Sequence, residues 1–166
     1  MRNCLIILAV VFSFTTTVFA QPKNDFVLVK TNAAEGVIVP AEKGKDYFWR
    51  SYDNIPTHAD KFWTPTKDDV IKAENKLAAY LKDKKPKYSL DLWKKLPEYK
   101  RQYVGVIIGE KKMIWINLFH KNYIADTNDK WQREPVKVFD GGDQFFNIMY
   151  DLKTESFSDL FINMEA

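Results

Sequence analysis

The sequence predicts an α+β domain in which one main helix packs on a curved antiparallel sheet of about five sequential strands. Three observations predict it. After Thr64, apolar residues recur at helical spacing along one side only. From Tyr99 onward the period changes to that of strands, in β-rich runs separated by turn residues. Finally, Asp140-Gly-Gly-Asp143 lies between two such runs and has turn chemistry, because aspartate bonds its own backbone and glycine accepts positive φ.

The chain opens with a segment to be set aside before any fold reasoning. Arg2 is followed by an apolar stretch from Leu5 to Phe14, then Thr15-Thr-Thr-Val-Phe-Ala20. This is the layout of a secretory leader over residues 1–20, with cleavage after Ala20. Its uncharged run barely approaches the ~20 residues that span a bilayer, so no stable membrane span is expected after cleavage. Cleavage also removes Cys4, the only cysteine, and with it any disulfide, thiol nucleophile or cysteine-ligated metal. The formal charge of +3 falls to +2 when Arg2 is lost. That balance gives no reason to expect a nucleic-acid partner or an anionic membrane surface.

Residues 21–61 read as an extended, aromatic-rich segment. Phe26-Val-Leu-Val29 and Gly36-Val-Ile-Val39 are short strand candidates, and Tyr47-Phe-Trp49 adds aromatic weight. The domain proper is placed at 62–166. Its helix starts at Thr64-Pro65-Thr66, where a threonine caps, proline sits in the first turn and Asp68 and Asp69 complement the dipole. Val70, Ala73, Leu77 and Leu81 form the buried side, with Lys72, Glu74, Asn75, Lys76 and Lys82 facing away. The helix is expected to stop before Asp83-Lys-Lys-Pro86. A short helical turn is expected from Ser89 to Leu96, ended by Pro97.

Arg101 to Ile108 and Met113 to Phe119 should form a hairpin around Gly109-Glu-Lys111. Asn122 to Glu134 is a polar loop containing Trp131. Val136 to Phe139 and Gln144 to Tyr150 should form a second hairpin around the Asp-Gly-Gly turn. Asp151 starts another turn, and Phe157 to Asn163 is a last strand. Cystatin-like and related helix-on-meander folds have this order, an analogy of fold only. Gln102-Tyr-Val104-Gly105 approaches the Gln-x-Val-x-Gly of cystatin-type inhibitors. Its glycine comes one place early and it lies inside a strand, so it reads as coincidence.

Several groups are candidates for chemistry. Asp140, Asp143 and Asp151 flank the second hairpin, and paired carboxylates in unlike environments divide into acid and base. They could also hold a calcium ion, although no calcium-loop spacing is present, and ordinary turn chemistry explains them better than either. His58 and His120 are isolated, without the paired spacing of a metal site. No cofactor is implied. A small envelope hydrolase would draw on Asp140, Asp143 and His120. A binding module would draw on Trp49, Trp63, Trp93 and Arg101, since aromatic side chains stack on sugars or anchor protein partners. Trp115, Phe145 and Phe157 read as core. Lys82, Lys84, Lys85, Lys87, Lys94 and Lys95 read as a solvated basic face that Trp93 would join if the ligand were anionic. Arg101 and Asn117 read as members of an alternating solvent face, or as residues that lock a strand or face a cleft.

Taken together, Trp63-Thr-Pro65, Arg101-Gln-Tyr103-x-Gly105, Ile114 to Asn117, Trp131, Asp140-Gly-Gly142, Phe146, Tyr150-Asp151 and Asn163-x-x-Ala166 resemble an uncharacterised family of small secreted bacterial proteins. The resemblance covers 62–166. Met164 departs from the glycine usual after the final asparagine. What the resemblance implies is export and a single small domain, with no activity and no site residue. The expectation is therefore an exported, periplasmic or secreted, non-enzymatic binding module, its partner an envelope or extracellular protein or glycan.

Overall fold

The computed structural model describes residues 25–31, 34–49, 59–88, 91–125 and 128–163. The leader, His58, Ser89 and the ending Met164 to Ala166 lie outside these residues. The fold is α+β, with a mostly antiparallel sheet of seven strands: β1 (Val27–Lys30), β2 (Glu35–Val39), β3 (Lys61–Trp63), β4 (Tyr99–Ile108), β5 (Lys111–His120), β6 (Phe145–Asp151) and β7 (Ser156–Ile162). The helices are α1 (Gly44–Tyr47), α2 (Lys67–Tyr88) and α3 (Leu92–Lys95).

The order across the sheet is β1-β2-β4-β5-β6-β7. Seven strands replace the expected five because the N-terminal segment joins the same sheet. β2 runs parallel to the first half of β4, with Glu35 opposite Lys100 and Val39 opposite Val104. β3 pairs antiparallel with the second half of that same edge, with Trp63 opposite Gly105. From β4 onward the strands do form an antiparallel meander.

The helix begins as a capping box. Thr66 Oγ1 accepts from the Asp69 amide, and Asp69 Oδ2 accepts from the Thr66 amide. Thr66 is thus the cap, and Pro65 precedes it rather than sitting in the first turn. The helix also continues through Pro86 to Tyr88 instead of stopping at Asp83. Pro86 forfeits only one amide bond, close to the helix end. Pro97 likewise lies inside a 3-10 turn, Leu96–Glu98, that continues α3.

Side chains alternate along each strand, so the two sheet faces carry different cores. On one face Val70, Ala73, Leu77 and Leu81 pack against Tyr103, Ile114, Ile116, Leu118, Phe146, Ile148 and Tyr150. On the other, Tyr47 and Phe48 cover Val104, Val106, Met113, Trp115 and Met149. Trp115 packs in the second of these cores and Phe157 at the margin of the first, while Phe145 packs in a third cluster with Val37, Phe119, Ile124 and Trp131.

The second hairpin is not formed. Val136 to Phe139 adopts no ladder, because β6 already has β5 on one edge and β7 on the other. A strand has only two hydrogen-bonding edges. The 131–140 segment crosses the sheet face instead, held by side-chain amides. Gln102 Nε2 donates to the carbonyls of Trp131 and Glu134, both at 2.7 Å, and its Oε1 accepts from the Val136 amide at 3.1 Å. Asn117 Nδ2 donates to the Val136 carbonyl at 2.8 Å. Asn163 Nδ2 donates to the carbonyls of Val138 and Asp140. Asp140-Gly-Gly still turns the chain, with Gly141 and Gly142 at φ 93° and 57°, but it delivers a strap into β6 rather than closing two strands.

Candidate ligand-binding cleft

Ligand sites favour concave surfaces of a few hundred Å³ with a small number of polar groups converging on apolar walls. One such space among the described residues is a cleft of ≈ 690 Å³ between two hairpin turns at one end of the sheet. One wall is the β4–β5 turn, a two-residue loop of Gly109 and Glu110. Its Gly109 amide is anchored to Asp60 Oδ2 at 2.6 Å. The other wall is the β6–β7 turn, where Asp151 Oδ1 accepts from the amides of Lys153 and Thr154 at 2.8 and 3.1 Å. A bond from the Leu152 amide to the Lys112 carbonyl ties the two walls together.

The cleft is lined by three lysines and two carboxylates, Glu110 and Asp151. Lys111, Lys112 and Lys153 line it, and none has a carboxylate partner among the described residues. Lys112 rests its ammonium 3.8 Å from the centre of the Trp63 ring, a cation–π contact that holds the side chain in place. Trp63 is itself fixed, its indole N–H shared between the carbonyls of Val106 and Met113. Asp151 is 8% exposed, and no hydrogen bond to its Oδ2 is found among the described residues. Ile108 adds an apolar surface. Three lysines, the Glu110 carboxylate, the spare oxygen of Asp151 and an apolar wall can hold a ligand bearing both an acidic group and a hydrogen-bond donor.

The sequence-predicted binding residues do not gather on one surface. Trp63 supports this cleft through Lys112. Trp49 lies on the opposite face from α2, edge-on to Trp115 and Phe139. Trp93 sits half-buried on α3, with Lys82 and Lys94 each 5.3 Å from its ring. Arg101 is fully buried beneath α2. Its Nε donates to Glu74 Oε1 at 3.2 Å, its Nη1 donates to the Tyr99 carbonyl, and its Nη2 has no partner among the described residues.

Two expectations are corrected by that burial. Glu74 does not face away; its side chain is 7% exposed and also accepts from the Tyr103 hydroxyl at 2.9 Å. Arg101 and Asn117 are not on a solvent face either, and each reaches the interior on a different side of the sheet. The hydroxyl of Tyr103 is pushed well above the ordinary tyrosine range, first by burial and then by the Glu74 carboxylate.

Of the three residues of the hydrolytic alternative, His120 and Asp143 both contact Tyr99 but have separate partners. His120 Nε2 is 2.9 Å from Glu98 Oε2, which holds the Glu98 carboxyl below its usual range. Asp143 Oδ2 accepts from Lys95, whose ammonium is held above its usual range by that bond. The Asp143 main-chain carbonyl accepts from the Tyr99 hydroxyl at 2.7 Å. Asp140 is exposed, and its main-chain carbonyl accepts from Asn163. No hydrogen bond joins any two of the three among the described residues.

Lys111, Lys112 and Lys153 were absent from the sequence-based candidates. The signal that would have found them is the pair of predicted turns, each carrying lysine, joined by strands of matched length. Comparison with known proteins brings no relative to this geometry: no family model matches the chain, and neither does any curated protein or solved structure.

Proposed function

We propose that the chain is an exported, non-enzymatic binding module whose ligand occupies the cleft between the two hairpin turns. The observation that carries this reading is the gathering of three lysines, without carboxylate partners among the described residues, around Asp151 and its spare oxygen, with Glu110 the other acidic group of the lining. An excess of positive charge beside a partly apolar wall favours a small envelope or extracellular ligand with a carboxylate or similar acidic group. A sugar acid or the acidic end of a peptide meets that description. Export is supported by the layout of residues 1–20, as is the resemblance to small secreted bacterial proteins by the motifs after Trp63. The hydrolytic alternative gains less support, because Asp143 and His120 each spend their side chains on a neighbouring ion pair.

The test is titration of the protein with galacturonate, sialic acid and free glutamate while backbone amide shifts are followed by NMR. Shifts confined to Gly109–Lys112 and Asp151–Glu155, lost in Lys111→Gln/Lys112→Gln/Lys153→Gln, are the expected result. Shifts centred elsewhere, or unchanged in the triple variant, would remove the cleft from consideration.

A further inference from the structure

We propose that the C-terminal end of α2, together with α3, is a peripheral contact surface for an anionic phospholipid bilayer. The near-neutral charge of the whole chain conceals a local imbalance. Residues 82–95 hold six lysines and two aspartates, a net +4. The chain from Gln21 onward carries +2 in all, so everything outside this short stretch sums to −2. Charge separated in this way orients a protein in a field and draws one end of it to a surface of opposite sign.

Part of this charge is also unspent. Lys82 and Lys84 have no carboxylate partner among the described residues. Lys94 and Lys95 share theirs with Asp91 and Asp143, through exposed bonds that solvent weakens. The C-terminal dipole of α2 offsets only about half a charge.

Geometry favours a surface over a single small anion. Residues two apart on a helix point in different directions, so Lys82 and Lys84 do not converge on one point. They flank the helix end instead, and each ammonium lies 5.3 Å from a ring, Lys82 over Trp93 and Lys84 over Tyr80. Half-buried tryptophan and tyrosine ringed by lysine is the side-chain set of a membrane–water boundary, where the ring sits at headgroup depth and the ammonium groups meet phosphates. The contact is peripheral, since no helix among the described residues is long and apolar enough to cross a membrane.

The test is co-flotation of the purified protein with vesicles of phosphatidylcholine alone or with about a quarter phosphatidylglycerol. Binding to the anionic vesicles, weakening as salt rises toward ~0.5 M, is expected. Lys82→Gln/Lys84→Gln/Lys94→Gln should lower that partition by about 100-fold. Lys111→Gln/Lys112→Gln/Lys153→Gln should leave it intact, so the cleft and this surface fail separately. Equal binding to neutral vesicles, no binding at low salt, or full binding by the first variant would each overturn the proposal. So would displacement by inorganic phosphate beyond the effect of its ionic strength, which would identify a site for a single anion instead.

Discussion

Gln102 on β4 stands directly opposite Asn117 on β5, and their bonded side chains do for the 131–136 segment what a neighbouring strand would otherwise do. Asn117 Nδ2 donates to Gln102 Oε1 at 3.3 Å, and both amides then reach up to the strap. Buried main-chain groups must find partners, and here the sheet supplies them through side chains.

Gln102→Leu should therefore cost about 2–4 kcal/mol, since it strands two carbonyls and one amide at a buried site. Urea denaturation measures the loss. Because the strap positions Trp131 on Phe119, ring centroids 5.9 Å apart, near-ultraviolet dichroism should fall in the native state as well. A loss no larger than that of an exposed-site control would mean that the strap holds itself.

The Glu74–Arg101 pair is buried on both sides, with side chains 7% and 1% exposed. Removing one partner leaves the other charge uncompensated, so Glu74→Leu should destabilise by about 3–5 kcal/mol. The double variant Glu74→Leu/Arg101→Met should recover much of that loss, since a well-packed apolar pair replaces a charge pair at small net cost. Additive losses in the double-mutant cycle would show that the two residues act independently.

Alkaline pH should destabilise the protein in part through Tyr103, the most buried of four described tyrosines whose ionisation is raised. Its folded-state ionisation lies well above that of an unfolded tyrosine, about 10. The stability tied to its proton is complete below pH ~10 and is lost as pH rises beyond it, because the unfolded chain releases the proton first. Between those limits Tyr103→Phe should make the decline in stability shallower by about one proton equivalent. Tyrosinate absorbance read alongside denaturant midpoints provides the measurement.

Gly105 faces Trp63 across the β3–β4 pair. A Cβ there would lie 2.2 Å from the Trp63 carbonyl oxygen and 2.8 Å from its ring, and backbone cannot step aside as a flexible side-chain tip can. Gly105→Ala should cost about 1–3 kcal/mol or more and loosen β3. Faster hydrogen exchange at Lys61–Trp63 should accompany the loss in thermal stability. With β3 loosened, Trp63 no longer supports Lys112, and affinity in the hairpin cleft should fall too.

What the sequence determined by itself was local. The capped amphipathic helix, the hairpin around Gly109, the turn at Asp151 and the aromatic core of the meander all follow from spacing and turn chemistry within a few residues of each position. The tertiary structure decided whatever depends on competition between distant segments. Val136 to Phe139 has strand composition, yet both edges of β6 were occupied by β5 and β7, so it became a strap. Gly36-Val-Ile-Val39 became a parallel neighbour of β4 because the first half of that edge was free, while β3 took the second half. Glu74 looked like one more solvent carboxylate on a helix until Arg101 and Tyr103 were placed beneath it. The cleft belongs to the same class: its lysines lie about 40 residues apart and meet only because two hairpin turns end at the same level of one sheet.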